Sequence, residues 1–407
     1  SYVKVFLCGW LFRAVHVSCR LIMIPLLLHL LAKEAYAALV VVSSLEGWFL
    51  LLDFGIGTSL QNYLSEKRAK KEDTKGFIKT GFFLACIACI LGFFLLFSTL
   101  PFMAKFFLGN FLPLSSGKGL FAMGGVFLLL GTFGSIASKV LFAEQKGYLV
   151  YLMQGASSVL SLVFFLTYPK EITLLTACFA LIGIPSLASL FVAFFVFSKV
   201  AWKAPLEPFV IKRARSFFLF SFLAALVTLS DTLVAPRTLQ VEQVIEYNFL
   251  CKVFGIASFA YGSVIQGLFP VCSEEQALGL FTTVFSRIKK GALACSLGVV
   301  LFSFGFWLFS STIEKVFTIE LHALPIICFA LYLCIRVFAD FYAMALQSRS
   351  QMKPFFLLVP VQACVSLFLQ YALSSFLGIS GLLLGLSLSY LLTVSFSLPV
   401  LFKKRFA

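Results

Sequence analysis

Arg13-Ala-Val-His16-Val-Ser-Cys-Arg20-Leu-Ile-Met-Ile-Pro25 opens one hydrophobic helix. A second, from Tyr36 to about Leu64, carries Glu46 and Asp53 and ends in Leu52-Asp53-Phe-Gly55-Ile-Gly57-Thr-Ser-Leu. The i, i+3, i+7 spacing puts Arg13, His16 and Arg20 on one helical face, and the seven-residue spacing does the same for Glu46 and Asp53. An ionisable group near the centre of a bilayer costs at least roughly 2.5–3.5 kcal/mol, so such groups face a bundle interior or a wet cavity. The hairpin therefore reads as one wall of a polar cavity. The competing reading is mutual neutralisation of a basic helix by an acidic one, which repays its desolvation poorly.

Outward from that hairpin, composition bounds the class. The 407 residues are 61% hydrophobic and only 12% charged, with 51 Phe, an apolar excess that needs lipid as its solvent. The net charge of +15 does not indicate nucleic acid, because the basic residues cluster between hydrophobic runs. The eleven Cys lie almost entirely within apolar runs and read as small hydrophobes. With three His and no Cys/His cluster, neither a metal site nor a cofactor is expected. The sequence begins at Ser1 rather than Met, so its start is expected to be clipped or renumbered, and Arg13 and Arg20 interrupt any signal-peptide core.

Twelve runs are long enough to cross the hydrocarbon: 5–31, 35–64, 77–103, 119–143, 148–169, 172–199, 214–236, 241–270, 288–312, 322–347, 354–377 and 379–402. Alternate connections (the N-terminus, 65–79, 139–147, 199–215, 271–290, 347–353 and 403–405) hold 22 of the 32 Lys and Arg. The opposite set holds six: Lys33, Lys105, Lys118, Lys170, Arg237 and Lys315. The positive-inside rule then places both termini in the cytoplasm. Lys203-Ala-Pro205-Leu-Glu-Pro208 breaks the chain after span six, which divides it into 1–203 and 204–407. With six spans in each half, a repeat must be parallel, about an axis along the membrane normal.

The later spans carry charges of their own. Lys252 has only the distant Glu246 as a same-helix acid and is the stronger candidate for a cavity cation. Arg336 and Asp340, at i, i+4, could instead pair with each other. Asp231 lies near a helix end, where it could reach interfacial water. Gly381-Leu-Leu-Leu-Gly385 fits a close helix-helix contact, and Pro25 a kink.

The order Arg20-Leu-Ile-Met-Ile-Pro25, Glu34-Ala-Tyr36 and Leu52-Asp53-Phe-Gly55-Ile-Gly57 resembles the opening hairpin of Wzx-type oligosaccharide-lipid flippases, of the multidrug/oligosaccharidyl-lipid/polysaccharide exporter superfamily. Asp231-Thr-Leu-Val, Val244-Ile-Glu-Tyr247, Gly267-Leu-Phe-Pro270 with Ser273-Glu-Glu-Gln-Ala277, and Gly378-Ile-Ser-Gly381 resemble later parts of that family. The resemblance implies an all-α polytopic membrane protein. Its twelve transmembrane helices would form two six-helix bundles, related by a pseudo-two-fold axis along the membrane normal, around a central cavity.

It further implies a transporter, not an enzyme, in the bacterial inner membrane, flipping a polyprenyl-pyrophosphate-linked oligosaccharide to the outer leaflet as a monomer. A polysaccharide polymerase and chain-length machinery are the partners it would work beside. Candidate pyrophosphate or glycan contacts are Arg13, His16, Arg20, Lys252 and Arg336, since Arg offers a planar fork of donors to phosphate. Candidates for ion coupling are Glu46, Asp53 and Asp340. The alternative is a proton- or sodium-coupled exporter of organic cations, which a cationic first helix disfavours. A membrane-embedded polymerase or ligase would generally need a sizeable outer loop, and every outward connection is short.

Overall fold

The computed structural model describes residues 2–167, 172–198, 200–347 and 353–406; Lys170, Lys199 and most of the 347–353 connection, all used in the charge count, lie outside them. The described residues are almost wholly helical and contain eleven segments long and apolar enough to cross a membrane. This is an all-α, multi-pass membrane protein.

The chain separates into two compact units, residues 1–225 and 226–407. In the first, the helix Leu114–Ala143 is the hub, with more than half of its apolar window buried. Small residues let its neighbours approach it. A Cβ at Gly134 would lie 2.4 Å from the backbone of Ser189, and one at Gly125 2.6 Å from Leu96. Such close approach drives helix association where lipid removes the hydrophobic incentive. The first helix, Tyr2–Leu30, runs through Pro25 and packs on Gly147–Thr167, where Phe12 fills the space that a Cβ at Gly155 would need.

The expected continuous second span, 35–64, is instead broken. Helix gives way to a 3-10 turn at Leu51–Asp53, then to left-handed residues Phe54 (φ 50°) and Gly55 (φ 73°), and restarts as Ile56–Ala69. Gly55 is required twice over: its φ is costly for a side chain, and a Cβ there would sit 2.5 Å from the Ala214 carbonyl. The missing Cβ admits the backbone of the helix Phe209–Thr228, whose Val210 carbonyl accepts a 2.8 Å bond from Ser59 Oγ. The helix after the break, Ile56–Ala69, is largely polar, so the apolar span ends at Asp53.

In the second unit, Phe281–Leu308 packs on Ala323–Gln347, which packs on the chain after Lys353. Phe254 and Phe329 stack at 4.5 Å within the core. The final candidate span, Pro354–Phe402, is 49 residues long and reverses at Gly378 (φ 57°). A Cβ at Gly381 would meet the Leu373 carbonyl at 2.1 Å, and one at Gly385 the backbone of Gln370 at 2.6 Å. As one contact position advances the other recedes, so these two arms run antiparallel, and the glycine pair is the seam between them.

Candidate functional site

In the first unit the candidate charges are spread along one helix. Arg13 is exposed and engaged within the fold, Arg20 is half-buried and lies within electrostatic reach of the exposed Glu46. His16 leaves this pair: its Nδ1 sits 2.6 Å from Ser158 Oγ on the neighbouring helix Gly147–Thr167. The basic stripe of the sequence is thus two guanidiniums and one histidine that joins a helix-helix contact.

Asp53 does local work. Its Oδ1 accepts from Gly55 N at 2.7 Å, it also accepts from the Gly57 amide, and Lys139 lies within electrostatic reach. A carboxylate on the first free amides of a helix satisfies donors that have no intrahelical partner and complements the helix dipole. Asp53 therefore secures the break that precedes Ile56–Ala69, and it does not stand beside Glu46 as a second acid on one continuous helical face.

The second unit gathers its charges. Arg336 Nε lies 3.5 Å from Asp340 Oδ2, a close ion pair but not a hydrogen bond; the bond made by this guanidinium runs from Nη1 to the Tyr332 hydroxyl at 3.1 Å. Tyr261 donates to Asp340 Oδ2 at 3.1 Å, and Tyr390, whose ring packs against Tyr332 at 5.8 Å, also faces Arg336. Asp231 accepts a bond from the Tyr247 hydroxyl through Oδ2, lies within electrostatic reach of Arg336, and keeps a buried Oδ1 without a hydrogen-bond partner. Lys252 stands on the same helix as Tyr247 and Tyr261, half-buried and engaged with its surroundings.

The four tyrosines are functional-site candidates that the sequence reading missed, and Asp231, read there as reaching interfacial water, is half-buried with a buried Oδ1. Tyr332 was within reach of that reading, one helical turn before Arg336. Tyr247, Tyr261 and Tyr390 come from other spans and are brought together only by packing. A second buried acid, Glu246, accepts from His322 N at 2.8 Å and from His322 Nδ1 at 3.0 Å. On the basic connection, outside the spans, Lys67 holds the exposed Glu72 carboxyl below its ordinary range, and Glu72 holds the Lys67 ammonium up. No group of three or more His, Cys, Asp and Glu suited to a metal occurs among the described residues.

The fold is similar to that of solved MOP superfamily transporters. An inward-facing multidrug resistance transporter of the MATE family superposes with a TM-score of 0.74 at 13% identity, covering 96% of this chain and 94% of that one. The lipid II flippase MurJ, in an inward closed conformation, superposes with a TM-score of 0.71 at 14% identity, covering 99% and 87%. No protein-family model matches the chain.

Sequence relatives narrow the class. The chain is 33% identical over 429 residues to a protein of Yersinia pseudotuberculosis provisionally named an O-antigen export protein, covering 99% of this chain and 96% of that one. It is 31% identical over 407 residues to a protein of Salmonella typhimurium provisionally named an O-antigen transporter, covering 96% and 94%. The chain belongs to this O-antigen transporter family.

Proposed function

We propose that this protein flips a polyprenyl-pyrophosphate-linked oligosaccharide from the cytoplasmic to the outer leaflet of a bacterial inner membrane by alternating access. The observation that carries this reading is the 33% identity, from end to end, to a relative named for O-antigen export. The antiparallel reversal at Gly378 divides the 49-residue segment into two crossings, which supports twelve in all. Two six-helix bundles, 1–203 and 204–407, with both termini in the cytoplasm, belong to the same reading, as does operation as a monomer beside a polymerase and chain-length machinery.

Within this reading, Arg13 and Arg20 contact the pyrophosphate, because they are cations in an apolar span that the fold does not bury completely. A charge kept at that cost is retained for a ligand of opposite sign. Lys252 offers a further cation in the second unit. His16 contributes by holding the first helix to its neighbour, and Arg336 by holding the tyrosine cluster together. Glu46 and Asp340 remain the acids best placed for ion coupling, since each lies near an arginine, whereas Asp53 is committed to its helix end.

Complementation of an O-antigen transporter-null strain tests the function. The wild-type chain is expected to restore surface polysaccharide when paired with its own glycan assembly genes. Failure to restore it, together with resistance to organic cations conferred on the host, would replace this reading with a drug exporter.

A further inference from the structure

An aromatic groove in the first unit plays no part in the proposed transport. It encloses about 600 Å³, within the range of ligand sites, and is lined by Phe82, Phe133, Leu190, Phe191, Phe194 and Phe197. Phe191 and Phe194 are 61% and 73% exposed, so the groove opens sideways rather than into the core. Phe82 lies seven residues into the helix Lys75–Leu108 and Phe197 is the last residue of Ile184–Phe197. At 1.5 Å per residue Phe82 lies about 10 Å from the Lys75 end of its helix.

The mouth of the groove is built and held. Trp202 covers it edge-on, its ring 5.8 Å from Phe82 and 6.1 Å from Phe83, yet remains 62% exposed. The segment that carries Trp202 is strapped down: Lys79 Nζ donates to the Trp202 and Ala204 carbonyls at 2.6 and 2.8 Å, and Glu207 N donates to Thr80 Oγ1 at 2.8 Å. Lys203 is thereby fixed beside the mouth with its side chain exposed. Residues 201–215 hold Lys203, Lys212, Arg213 and Arg215 against the single acid Glu207; Arg213 is paired with Glu66 at 2.7 Å, which leaves the other three basic residues and exposed Lys75 on the positive side. A tryptophan and a lysine at the edge of an apolar groove match the layered chemistry of a leaflet, with chain below and headgroup above.

We propose that this groove and its basic rim form a binding site for an anionic glycerophospholipid of the surrounding bilayer. One acyl chain lies along the phenylalanines, Trp202 sits at the glycerol level, and Lys203 meets the phosphate. The sign of the rim selects the occupant: a zwitterionic lipid offers the same chain but no net charge to Lys203. The site is independent of the flippase reading, and its test needs no transport.

The full-length protein in nanodiscs, with Trp10, Trp48 and Trp307 replaced by Phe, leaves Trp202 as the sole reporter. Titration with lipids brominated on the acyl chain, phosphatidylglycerol against phosphatidylcholine, compares the two headgroups at the same site. The brominated anionic lipid is expected to associate about fivefold more strongly, the effect of one well-placed lysine, and Lys203→Gln to bring the two within about twofold. Equal association of both lipids, or a preference that survives Lys203→Gln, overturns the proposal. Native mass spectrometry of the chain with its four tryptophans intact, released from mixed micelles, covers the case in which the single-tryptophan variant does not fold. There, retained phosphatidylglycerol that Lys203→Gln removes supports the site, and no retained anionic lipid, or the same retention in the variant, overturns it.

Discussion

The two units treat intramembrane charge in opposite ways. In residues 1–225 Arg13 is exposed and Arg20 half-buried along one helix, and the acid within electrostatic reach of Arg20, Glu46, is exposed. In residues 226–407 the Arg336 guanidinium is surrounded by Asp340, Tyr261, Tyr332 and Tyr390, with Asp231 tied to Tyr247 nearby. A cation in an apolar span is thus either ringed by tyrosines and an acid, or set along a helix with an exposed acid within electrostatic reach. On the proposed reading the first arrangement serves packing and the second recognition, and the spacing of the charged residues does not distinguish them.

The contrast is tested hardest at Arg336. Arg336→Gln leaves Asp340 with Tyr261 as its partner and is expected to cost about 2–4 kcal/mol in denaturant unfolding in detergent micelles, less than for a fully buried pair because the side chains are 27% and 34% exposed. The double variant Arg336→Gln/Asp340→Asn should recover part of that loss, with a coupling energy of about 0.5–3 kcal/mol. An Arg336→Gln protein as stable as wild type would show that the tyrosine cluster does not depend on Arg336 and would remove the contrast with the first unit.

Next in size is the seam of the final hairpin. Gly381→Ala pushes a methyl into the Leu373 carbonyl, and a loss of about 1–3 kcal/mol is expected in the same unfolding measurement. Asp53 sharpens the comparison inside the first unit. As a helix-end acceptor it should lose about 0.5–2 kcal/mol on replacement by Ala but little on replacement by Asn, which keeps the oxygen. If Asp53→Asn instead abolished complementation at normal expression, the carboxylate charge would matter for transport as well as for the fold.

At the small end stands the exposed Lys67–Glu72 pair. With Glu72 held below its ordinary pKa, any stabilisation is present above that ordinary value and fades as pH falls through the depressed one. Water and salt screen such a pair, so Glu72→Gln should leave the melting temperature unchanged at pH 7.

Much of the fold was legible because spans announce themselves by length and hydropathy. The runs read at 77–103 and 119–143 lie inside helices Lys75–Leu108 and Leu114–Ala143. Gly381 and Gly385 were legible as a contact because small residues four apart allow backbones to meet. The break at Phe54-Gly55 was not, since it depends on the approach of Ala214, more than 150 residues away. The same limit applies to the site. The i, i+4 pairing of Arg336 with Asp340 was readable within one helix, while Tyr261 and Tyr390 arrive from two other spans. His16 illustrates the remainder: its spacing placed it with Arg13 and Arg20, and a serine on a neighbouring helix took it away.

The central claim is that the cations of the first helix, Arg13 and Arg20, meet an anionic headgroup, and translocation in proteoliposomes tests it directly. The measurement is the rate at which the purified protein makes a polyprenyl-pyrophosphate-linked glycan accessible to a glycan-cleaving enzyme on the opposite side. Arg20→Gln should lower that rate about 10- to 150-fold, the loss of a charge-assisted contact of about 1.5–3 kcal/mol, with thermal stability unchanged. Arg20→Lys should restore part of it, since charge returns without the bidentate geometry. Translocation at the wild-type rate by a folded Arg13→Gln/Arg20→Gln double variant would contradict the account.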